Sequence, residues 1–437
     1  MEQQRKKSMV ALVNEEIDRQ LHENSVKVDF PAEFYALSEK DFEKTRDFGR
    51  ADYRNLNTFT LDCSDCQDMD DALSLEVTDH GYVLGIHIAD VSSFVTPYSS
   101  LDDDAVERAT SIYLPSRTIP MLPPVLTNDL CSLMEGKDRK TMSVMVSLDN
   151  DANVLDYEIS RAAIRSRIKG SYDDVNALLA GTASSQTVKK YACVLDDILT
   201  MSSLAQKMRN QRAAAGANMQ NNSVPQIEIA DDRVIVTPHT NGEAELMVEE
   251  FMILANRLVA EFMIVNELPT IFRVQEEKDR QAEYRFVLCH HAELALDAYV
   301  HFTAPIRRYA DIVVHRVLGY YLDGYAVEEI RDLFEDEDPE YVCDQVTRKS
   351  RRAANLSLAC NRFCYAQYFN WRRSERFSGT VTAYDRNHRP LITLDAYNII
   401  VVGDAAIGRF MGQAVSFNIS VDNKRALKAC NTNLIAA

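Results

Sequence analysis

The sequence contains little glycine or proline, no long apolar run and a deficit of positive charge. Glycine and proline number 14 and 12 among 437 residues, so we expect no long disordered linkers. No hydrophobic run reaches the length that crosses a membrane. Together with the lack of a secretory signal at the N-terminus, this predicts a cytoplasmic protein without membrane contact.

The deficit of positive charge restricts the functional classes. Lys and Arg number 48 against 66 Asp and Glu, a net charge of −18, which argues against a protein that coats nucleic acid non-specifically. A nuclease is still allowed, because a metal site needs carboxylates and basic residues can cluster elsewhere. Such basic clusters are Arg161, Arg165, Arg167 and Lys169; Arg307 and Arg308; Arg348 to Arg352; and Arg372 and Arg373.

The nine cysteines are scattered and odd in number, which favours reduced thiols over a disulfide framework. Cys63 and Cys66 form a CxxC, but no second CxxC follows. A zinc site needs more such ligands at regular spacing, so buried thiols are the favoured interpretation.

The length suggests two or three domains, or one large catalytic domain with an appendage. Residues 1–55 are rich in charge and are predicted to be a lead-in segment before the first strand. A change of character at residues 376–437, to short alternating strands separated by turn residues, predicts a small β-barrel.

The stretch from Thr60 to Glu76 holds five aspartates within ten residues, and alternating apolar flanks predict a strand on each side. Carboxylates this close repel one another, and burial raises the cost of their charge. Mg²⁺ removes that cost, because it prefers oxygen ligands. The stretch therefore predicts a metal-dependent phosphoryl-transfer site, with a solvated acidic turn as the alternative.

A second stretch, residues 298–311, predicts a helix capped by Thr303 or Ala304 with a proline in its first turn. Arg307 and Arg308 would then lie where acidic residues are usual. This arrangement favours a phosphate bound between the arginines and the free backbone N–H groups. An ion pair of Arg308 with Asp311 along the helix is the alternative.

Two further features have competing interpretations. Tyr113 lies in a stretch with four prolines in ten residues, so it is either a rigid base-stacking platform or a core tyrosine. Glu249 and Glu250 interrupt an apolar helix predicted over residues 244–268, so one of them contacts a sugar hydroxyl or both face solvent. Residues 188–215 and 342–371 are predicted to be long helices.

With these stretches in view, residues 25–375 resemble the ribonuclease II/ribonuclease R (RNB) family of exoribonucleases. The resemblance is carried by RNLNTFTLD (54–62), the aspartate-rich stretch, HIADVS (87–92), SIYLPSRTIPMLPP (111–124), LTNDLCSL (126–133) and HFTAPIRRYADIVVHR (301–316). It implies an α+β fold, in which an RNB catalytic domain of mixed sheets surrounded by helices spans residues 56–375 and precedes a reduced S1/OB-like barrel.

The resemblance also implies Mg²⁺-dependent hydrolysis of single-stranded RNA from its 3′ end to nucleoside 5′-monophosphates, with two ions in the catalytic state. It assigns metal binding to four aspartates and catalysis to two of them together with an arginine. Tyrosines would contact the terminal bases, a glutamate the terminal ribose, and a second arginine the RNA. The metal ligands would be Asp62, Asp68, Asp70 and Asp71, and the catalytic residues Asp68, Asp70 and Arg307. Tyr113 and Tyr172 would contact the bases, Glu249 the ribose, and Arg308 would be the second arginine that contacts RNA.

The sequence departs from the family pattern in several places. We expect the N-terminal cold-shock-type barrels to be absent, the segment between Phe272 and Tyr299 to be short, and Asn221 to stand where a stacking phenylalanine is usual. Ala304 replaces a serine that would cap a helix. The leading hypothesis is an active exoribonuclease. The alternatives are a degenerate protein that binds RNA or a partner without cleaving, and a phosphodiesterase acting on short oligoribonucleotides.

Overall fold

The computed structural model describes residues 7–42, 49–219, 225–404, 410–423 and 425–435. Its fold is α+β, as the sequence predicts, and a mixed sheet forms the centre of the larger part. The first nine strands are β1 (Ala51–Asp52), β2 (Phe59–Asp62), β3 (Asp71–Thr78), β4 (Gly81–Ala89), β5 (Ile112–Leu114), β6 (Arg117–Ile119), β7 (Asp138–Leu148), β8 (Val154–Arg165) and β9 (Ile168–Ser171).

Seven of these strands form the central sheet in the order β1-β8-β7-β4-β3-β2-β9. The pairs β1–β8 and β2–β9 are parallel and the other neighbours are antiparallel. Phe59, Leu73 and Ile86 are buried on this sheet, because alternate residues of each strand point to the same face. The strand β1 lies in the predicted lead-in segment, so pairing with the sheet already begins there. The predicted domain boundaries themselves stay a prediction.

Helices surround the sheet. An apolar helix at Glu243–Val265 packs against it and buries more than half of its residues, including Phe251, Leu258 and Val259. The helices are α1 (Met9–Glu23), α2 (Ala32–Tyr35), α3 (Ser100–Arg108), α4 (Tyr172–Leu179), α5 (Ser185–Lys190), α6 (Leu195–Ala214), α7 (Glu243–Val265), α8 (Tyr309–Leu322), α9 (Val327–Asp336) and α10 (Pro339–Trp371). Among the described residues, none of the helices is both long and apolar enough to span a bilayer.

The single helix predicted over residues 188–215 is wrong, because the chain forms two helices, α5 and α6. Tyr191 lies at the break and is fully buried. Its hydroxyl accepts a 2.9 Å hydrogen bond from the N–H of Ser171 and donates a 3.1 Å one to Asp174. These contacts to α4 turn the chain at a point that the helical pattern does not reveal.

The predicted C-terminal barrel is confirmed, because five strands within residues 377–434 close into a barrel, in chain order except that the last two strands exchange places. Its core contains Val381, Val415 and Phe417, and it is continuous with apolar residues of α1 and α10. The remaining strands of the chain are β10 (Gln226–Ala230), β11 (Arg233–Thr237), β12 (Phe272–Val274), β13 (Glu283–Arg285), β14 (Phe377–Tyr384), β15 (Pro390–Leu394), β16 (Ile400–Val402), β17 (Ala414–Val421) and β18 (Leu427–Leu434).

Candidate active site

The aspartate-rich stretch connects the ends of β2 and β3, which are adjacent inner strands of the sheet. Asp62 is the last residue of β2 and Asp71 the first of β3, and the antiparallel pairing of Phe59 with Leu73 brings both strand ends to the same place. The fully buried Ser132 holds the connecting loop, because its Oγ accepts from the N–H of Met69 at 3.2 Å and donates to a carbonyl of the loop at 2.6 Å. The stretch is therefore a held loop rather than a solvated turn.

We call Asp62, Asp68, Asp70 and Asp71 the carboxylate cluster. Burial raises the pKa of Asp70 well above its ordinary value, and the neighbouring Asp71 raises it further. Burial, with the charge of Asp62 next to it, raises the pKa of Asp71 to about 7, and burial with the charge of Asp68 raises the pKa of Asp62 to about 6. Burial and mutual repulsion therefore destabilise the ionised form of this cluster.

Arg307 supplies positive charge to this cluster. Its Nε lies 3.5 Å from Oδ2 of Asp70, and it lowers the pKa of Asp62, Asp70 and Asp71 without cancelling the effect of burial. The segment around it is anchored by the carbonyl of Arg307, which accepts from the N–H of Ser111 at 3.1 Å. The arginine side chain is 44% exposed, so it can reach a bound anion.

The helix predicted to begin at Thr303 or Ala304 begins instead at Tyr309, and Arg308 is its extended N-cap residue. The preceding residues form a turn whose N–H groups are already used. The N–H of Ala304 donates to Asp311 and that of Ile306 to Asp70, each at 2.8 Å. The position predicted for a bound phosphate on the backbone is thus taken by the protein's own carboxylates. Because no helix begins at Ala304, the alanine at this position removes no helix cap.

A cleft of about 630 Å³ opens over the carboxylate cluster. Tyr113 and Tyr172 both line it, and the hydroxyl of Tyr113 donates a 3.3 Å hydrogen bond to Oδ2 of Asp68. Burial raises the pKa of both tyrosines, so both hydroxyls remain protonated. The wall also contains residues from α7 and from the approach to α8, namely Val248, Met252 and Thr303.

Two of the predicted RNA contacts point elsewhere. Arg308 is held by Asp311, with Nη2 2.7 Å from Oδ1 and Nε 2.9 Å from Oδ2, which is the alternative that the sequence left open. Glu249 lies 3.7 Å from Arg209 on α6 rather than among the residues that line the cleft, and burial raises its pKa. The RNA contacts proposed for both residues stay predictions, and Asn221 lies outside the described residues.

Several residues of the site were not assigned a role there from the sequence. Cys66 donates from its thiol to Oδ1 of Asp68 at 3.4 Å, and Thr127 and Asn128 line the cleft from a π-helix at Leu126–Leu130. A π-helical turn frequently marks a functional site, but its sequence, LTNDL, has no pattern that distinguishes it from an α-helical turn. The role of Ser132 likewise depends on a contact to a loop more than sixty residues earlier in the chain.

Comparison with known proteins identifies the family of the chain. The sequence matches the RNB domain over residues 50–287 and 279–324. The chain belongs to the RNB family. It is 35% identical over 364 residues to ribonuclease R of Thermotoga maritima, which covers 70% of this chain and 51% of that protein. The chain thus spans about half the length of this RNB relative.

Solved structures with the RNB fold superpose on most of the chain. RNase R of Mycoplasma genitalium without ligand has a TM-score of 0.82 at 23% identity, covering 96% of this chain and 78% of that one. The same protein has also been solved with ribose methylated single-stranded RNA, at a TM-score of 0.78 and 22% identity, covering 97% of this chain and 75% of that one. Yeast Ssd1, described as a pseudonuclease, has a TM-score of 0.68 at 18% identity and covers 93% of this chain and 58% of that one.

Proposed function

We propose that this protein is a Mg²⁺-dependent 3′→5′ exoribonuclease that hydrolyses single-stranded RNA to nucleoside 5′-monophosphates. The observation that carries the proposal is the contact between Arg307 and Asp70 at the base of a cleft lined by the whole carboxylate cluster. A guanidinium beside buried carboxylates is suited to hold a phosphodiester between itself and bound cations. The 35% identity to a ribonuclease R supports the same function.

The carboxylate cluster fits magnesium in its chemistry. All four side chains offer oxygen, and burial of Asp62, Asp70 and Asp71 leaves negative charge that a hard divalent cation would compensate. We propose that two ions bind there. When bound, they supply an activated water and neutralise charge on the scissile phosphate.

The remaining residues of the cleft act on the RNA itself. Arg307 neutralises charge on the phosphate as it develops in the transition state. Tyr113 and Tyr172 offer aromatic rings on which the terminal bases stack, in a manner that tolerates any base. A contact to the ribose 2′-OH would distinguish RNA from DNA. The neutral hydroxyl of Tyr113 also holds Asp68 in position.

We also propose that the protein works in the cytoplasm. All nine cysteines are free thiols in the structure, which suits a reducing compartment.

A non-catalytic RNA- or partner-binding protein is the second candidate, and the fold of the pseudonuclease Ssd1 favours it. Against it stands the cost of keeping Asp70 and Asp71 buried and charged, since a scaffold gains nothing from mutually repelling acids. The oligoribonucleotide phosphodiesterase differs from the leading candidate only in the length of RNA that it accepts. The net charge of −18 favours it over an enzyme that grips long RNA.

The test uses the purified chain with 3′-labelled and 5′-labelled single-stranded RNA, with and without Mg²⁺, and a DNA of the same sequence. Asp70→Asn is the inactive variant and Asp65→Asn, an exposed aspartate of the same loop, is the matched control. The exoribonuclease is supported if wild type and Asp65→Asn release labelled mononucleotide from the 3′ end and Asp70→Asn does not.

The alternatives give different products. Binding of RNA without any product in wild type and Mg²⁺ supports the non-catalytic protein. Cleavage confined to oligoribonucleotides of a few residues supports the phosphodiesterase. Cleavage that survives in Asp70→Asn contradicts the proposed site.

A further inference from the structure

Two thiols stand beside the carboxylate cluster and have no part in the proposed reaction. Cys63 and Cys66 flank a turn in which the N–H of Cys66 donates to the carbonyl of Cys63 at 3.1 Å. The two sulfurs and a carboxylate oxygen of Asp62 all lie within 4.8 Å of one another. Cys63 is exposed, and all three residues line the cleft. A cation that enters the cleft therefore meets this group directly.

The chemistry of this group differs from that of the carboxylate cluster. Two sulfurs and one carboxylate suit zinc and other thiophilic cations, whereas magnesium prefers oxygen alone. With zinc–sulfur distances of about 2.3 Å, the ligand atoms of one tetrahedral ion lie roughly 3.5–4 Å apart. Small side-chain rotations bring Asp62, Cys63 and Cys66 to that spacing, and the fourth position stays open to water.

We propose that Asp62, Cys63 and Cys66 form a binding site for a thiophilic divalent cation such as Zn²⁺, and that its occupation inhibits the enzyme. The proposed inhibition rests on the proposed nuclease function, whereas the proposed metal binding does not. On binding, the two thiol protons leave to the solvent and two sulfur–metal bonds and one oxygen–metal bond form. The ion with two thiolates and one carboxylate carries a net charge of −1.

The inhibition follows from Asp62, which belongs to both groups. A zinc ion that holds Asp62 removes one ligand from the magnesium site, and the negative complex brings no positive charge to Asp70 and Asp71. Coordination also draws the Cys66 thiol away from Oδ1 of Asp68, to which it donates at 3.4 Å. All four aspartates of the carboxylate cluster are thus affected: Asp62 is lost as a magnesium ligand, Asp68 loses a hydrogen-bond donor, and Asp70 and Asp71 gain no compensating charge.

The experiment uses the full chain under a reductant that does not bind metal, with Cd²⁺ as the spectroscopic probe. Thiolate-to-cadmium charge-transfer absorption in the ultraviolet reports the sulfur–metal bonds without any need for nuclease activity. The variants are Cys63→Ser and Cys66→Ser, with Cys193→Ser as the control because Cys193 is also exposed and lies far along the chain. Circular dichroism verifies that each variant is folded.

The second measurement is the Zn²⁺ concentration that halves RNA hydrolysis in excess Mg²⁺, with each rate divided by the zinc-free rate of the same variant. We expect one equivalent of cadmium absorption in wild type and Cys193→Ser. We expect at least about a tenfold loss of affinity in Cys63→Ser and Cys66→Ser, since even an outer-shell partner contributes that much. The Zn²⁺ concentration for half inhibition should rise by a similar factor in Cys63→Ser.

Every other outcome contradicts either the metal site or the inhibition. Absence of the cadmium band in wild type, or its survival in Cys63→Ser, overturns the site. Equal zinc sensitivity of active wild type and Cys63→Ser overturns the inhibition. If wild type hydrolyses no RNA at all, the nuclease function fails, and with it the inhibition, while the cadmium band still decides the metal site.

Discussion

The backbone N–H of Ile306 donates a 2.8 Å hydrogen bond to Oδ1 of Asp70, a residue 236 positions earlier in the chain. The next residue, Arg307, places its Nε 3.5 Å from the other carboxylate oxygen. One segment therefore contacts both oxygens of the most buried aspartate of the cluster. A backbone contact cannot rotate away as a side chain can, so it fixes the segment that carries Arg307 beside the cluster.

Replacing Arg307 with lysine tests the guanidinium. The variant keeps the charge but loses the planar fork that matches a phosphate. We expect kcat for RNA hydrolysis to fall about 10²–10³-fold, the usual cost of removing one donor to a developing charge. Single-turnover release of mononucleotides measures it.

Arg331→Lys is the matched control, because the side chains of Arg307 and Arg331 are both 44% exposed. Its kcat should equal that of wild type. A wild-type rate in Arg307→Lys would mean that only the charge, and not the fork, is needed.

Substitution of Tyr113 separates its ring from its hydroxyl. Tyr113→Phe keeps the stacking surface and loses only the donor to Asp68, whereas Tyr113→Ala loses both. Because stacking contributes about 1–3 kcal/mol per base, we expect RNA binding to weaken about 5–150-fold in the alanine variant and to change little in the phenylalanine variant. Fluorescence anisotropy in an Asp70→Asn background measures binding without hydrolysis.

The carbonyl of Tyr113 accepts from Oγ of Ser357 at 2.8 Å, which holds the backbone in both variants. Equal loss of affinity in the two variants would show that the hydroxyl, rather than the ring, binds RNA.

In the absence of metal, we expect the carboxylate cluster to lower the free energy of unfolding. Burial, and the charge of Asp62 next to it, raise the pKa of Asp71 to about 7 in the folded state, above about 3.9 in the unfolded chain. The folded state then binds the proton more tightly. The resulting loss of unfolding free energy is absent below about pH 4, grows as pH rises, and is complete above about pH 7.

Asp71→Asn removes this cost. In EDTA at pH 8 we expect its free energy of unfolding to exceed that of wild type by about 1–4 kcal/mol, and the gain to vanish near pH 4. Mg²⁺ should stabilise wild type more than the variant. Urea denaturation at the two pH values measures this, with the exposed Asp65→Asn as control. A gain that is equal at both pH values would contradict the assignment to charge.

Arg316 holds α8 to its neighbours from a buried position. Its side chain is 3% exposed and is paired with Asp102 and Glu337. Arg316→Met leaves both acids without their partner, which we expect to lower the free energy of unfolding by about 3–5 kcal/mol.

Arg331→Met is again the control, since it breaks an exposed pair with Glu267 and should cost less than about 1 kcal/mol. Urea denaturation compares the two variants. Similar losses in both would indicate that burial of the Arg316 pairs adds nothing.

The sequence could predict those features whose pattern is local. Alternating apolar residues around the aspartates indicate β2 and β3, and the apolar period indicates α7, because burial of one face repeats with the geometry of the element. The barrel strands and the long helix α10 were predicted for the same reason. The five aspartates within ten residues can be read directly from the sequence, and their mutual repulsion favoured a cation site, with a solvated turn as the alternative.

Features that depend on distant partners could not be predicted in this way. The start of α8 at Tyr309 depends on carboxylates that take the N–H groups of Ala304 and Ile306. Glu249 could have faced RNA, but its contact with Arg209 on another helix decides where it points. The pair of Arg308 with Asp311 is local and was named from the sequence, but only as an alternative. The helical pattern over residues 188–215 predicted one helix, and that prediction is wrong because the buried Tyr191 lies between two helices.

By itself, the sequence determined that a crowded group of aspartates, an α+β core, a terminal barrel and the RNB family would be found. Only the tertiary structure decided which of the charged residues meet, since it alone brings Asp70 and Ile306 into contact across 236 residues. The physical reason is that hydrophobic periodicity is encoded within one element, whereas hydrogen bonds and ion pairs form between whichever groups the packed elements bring within about 3 Å.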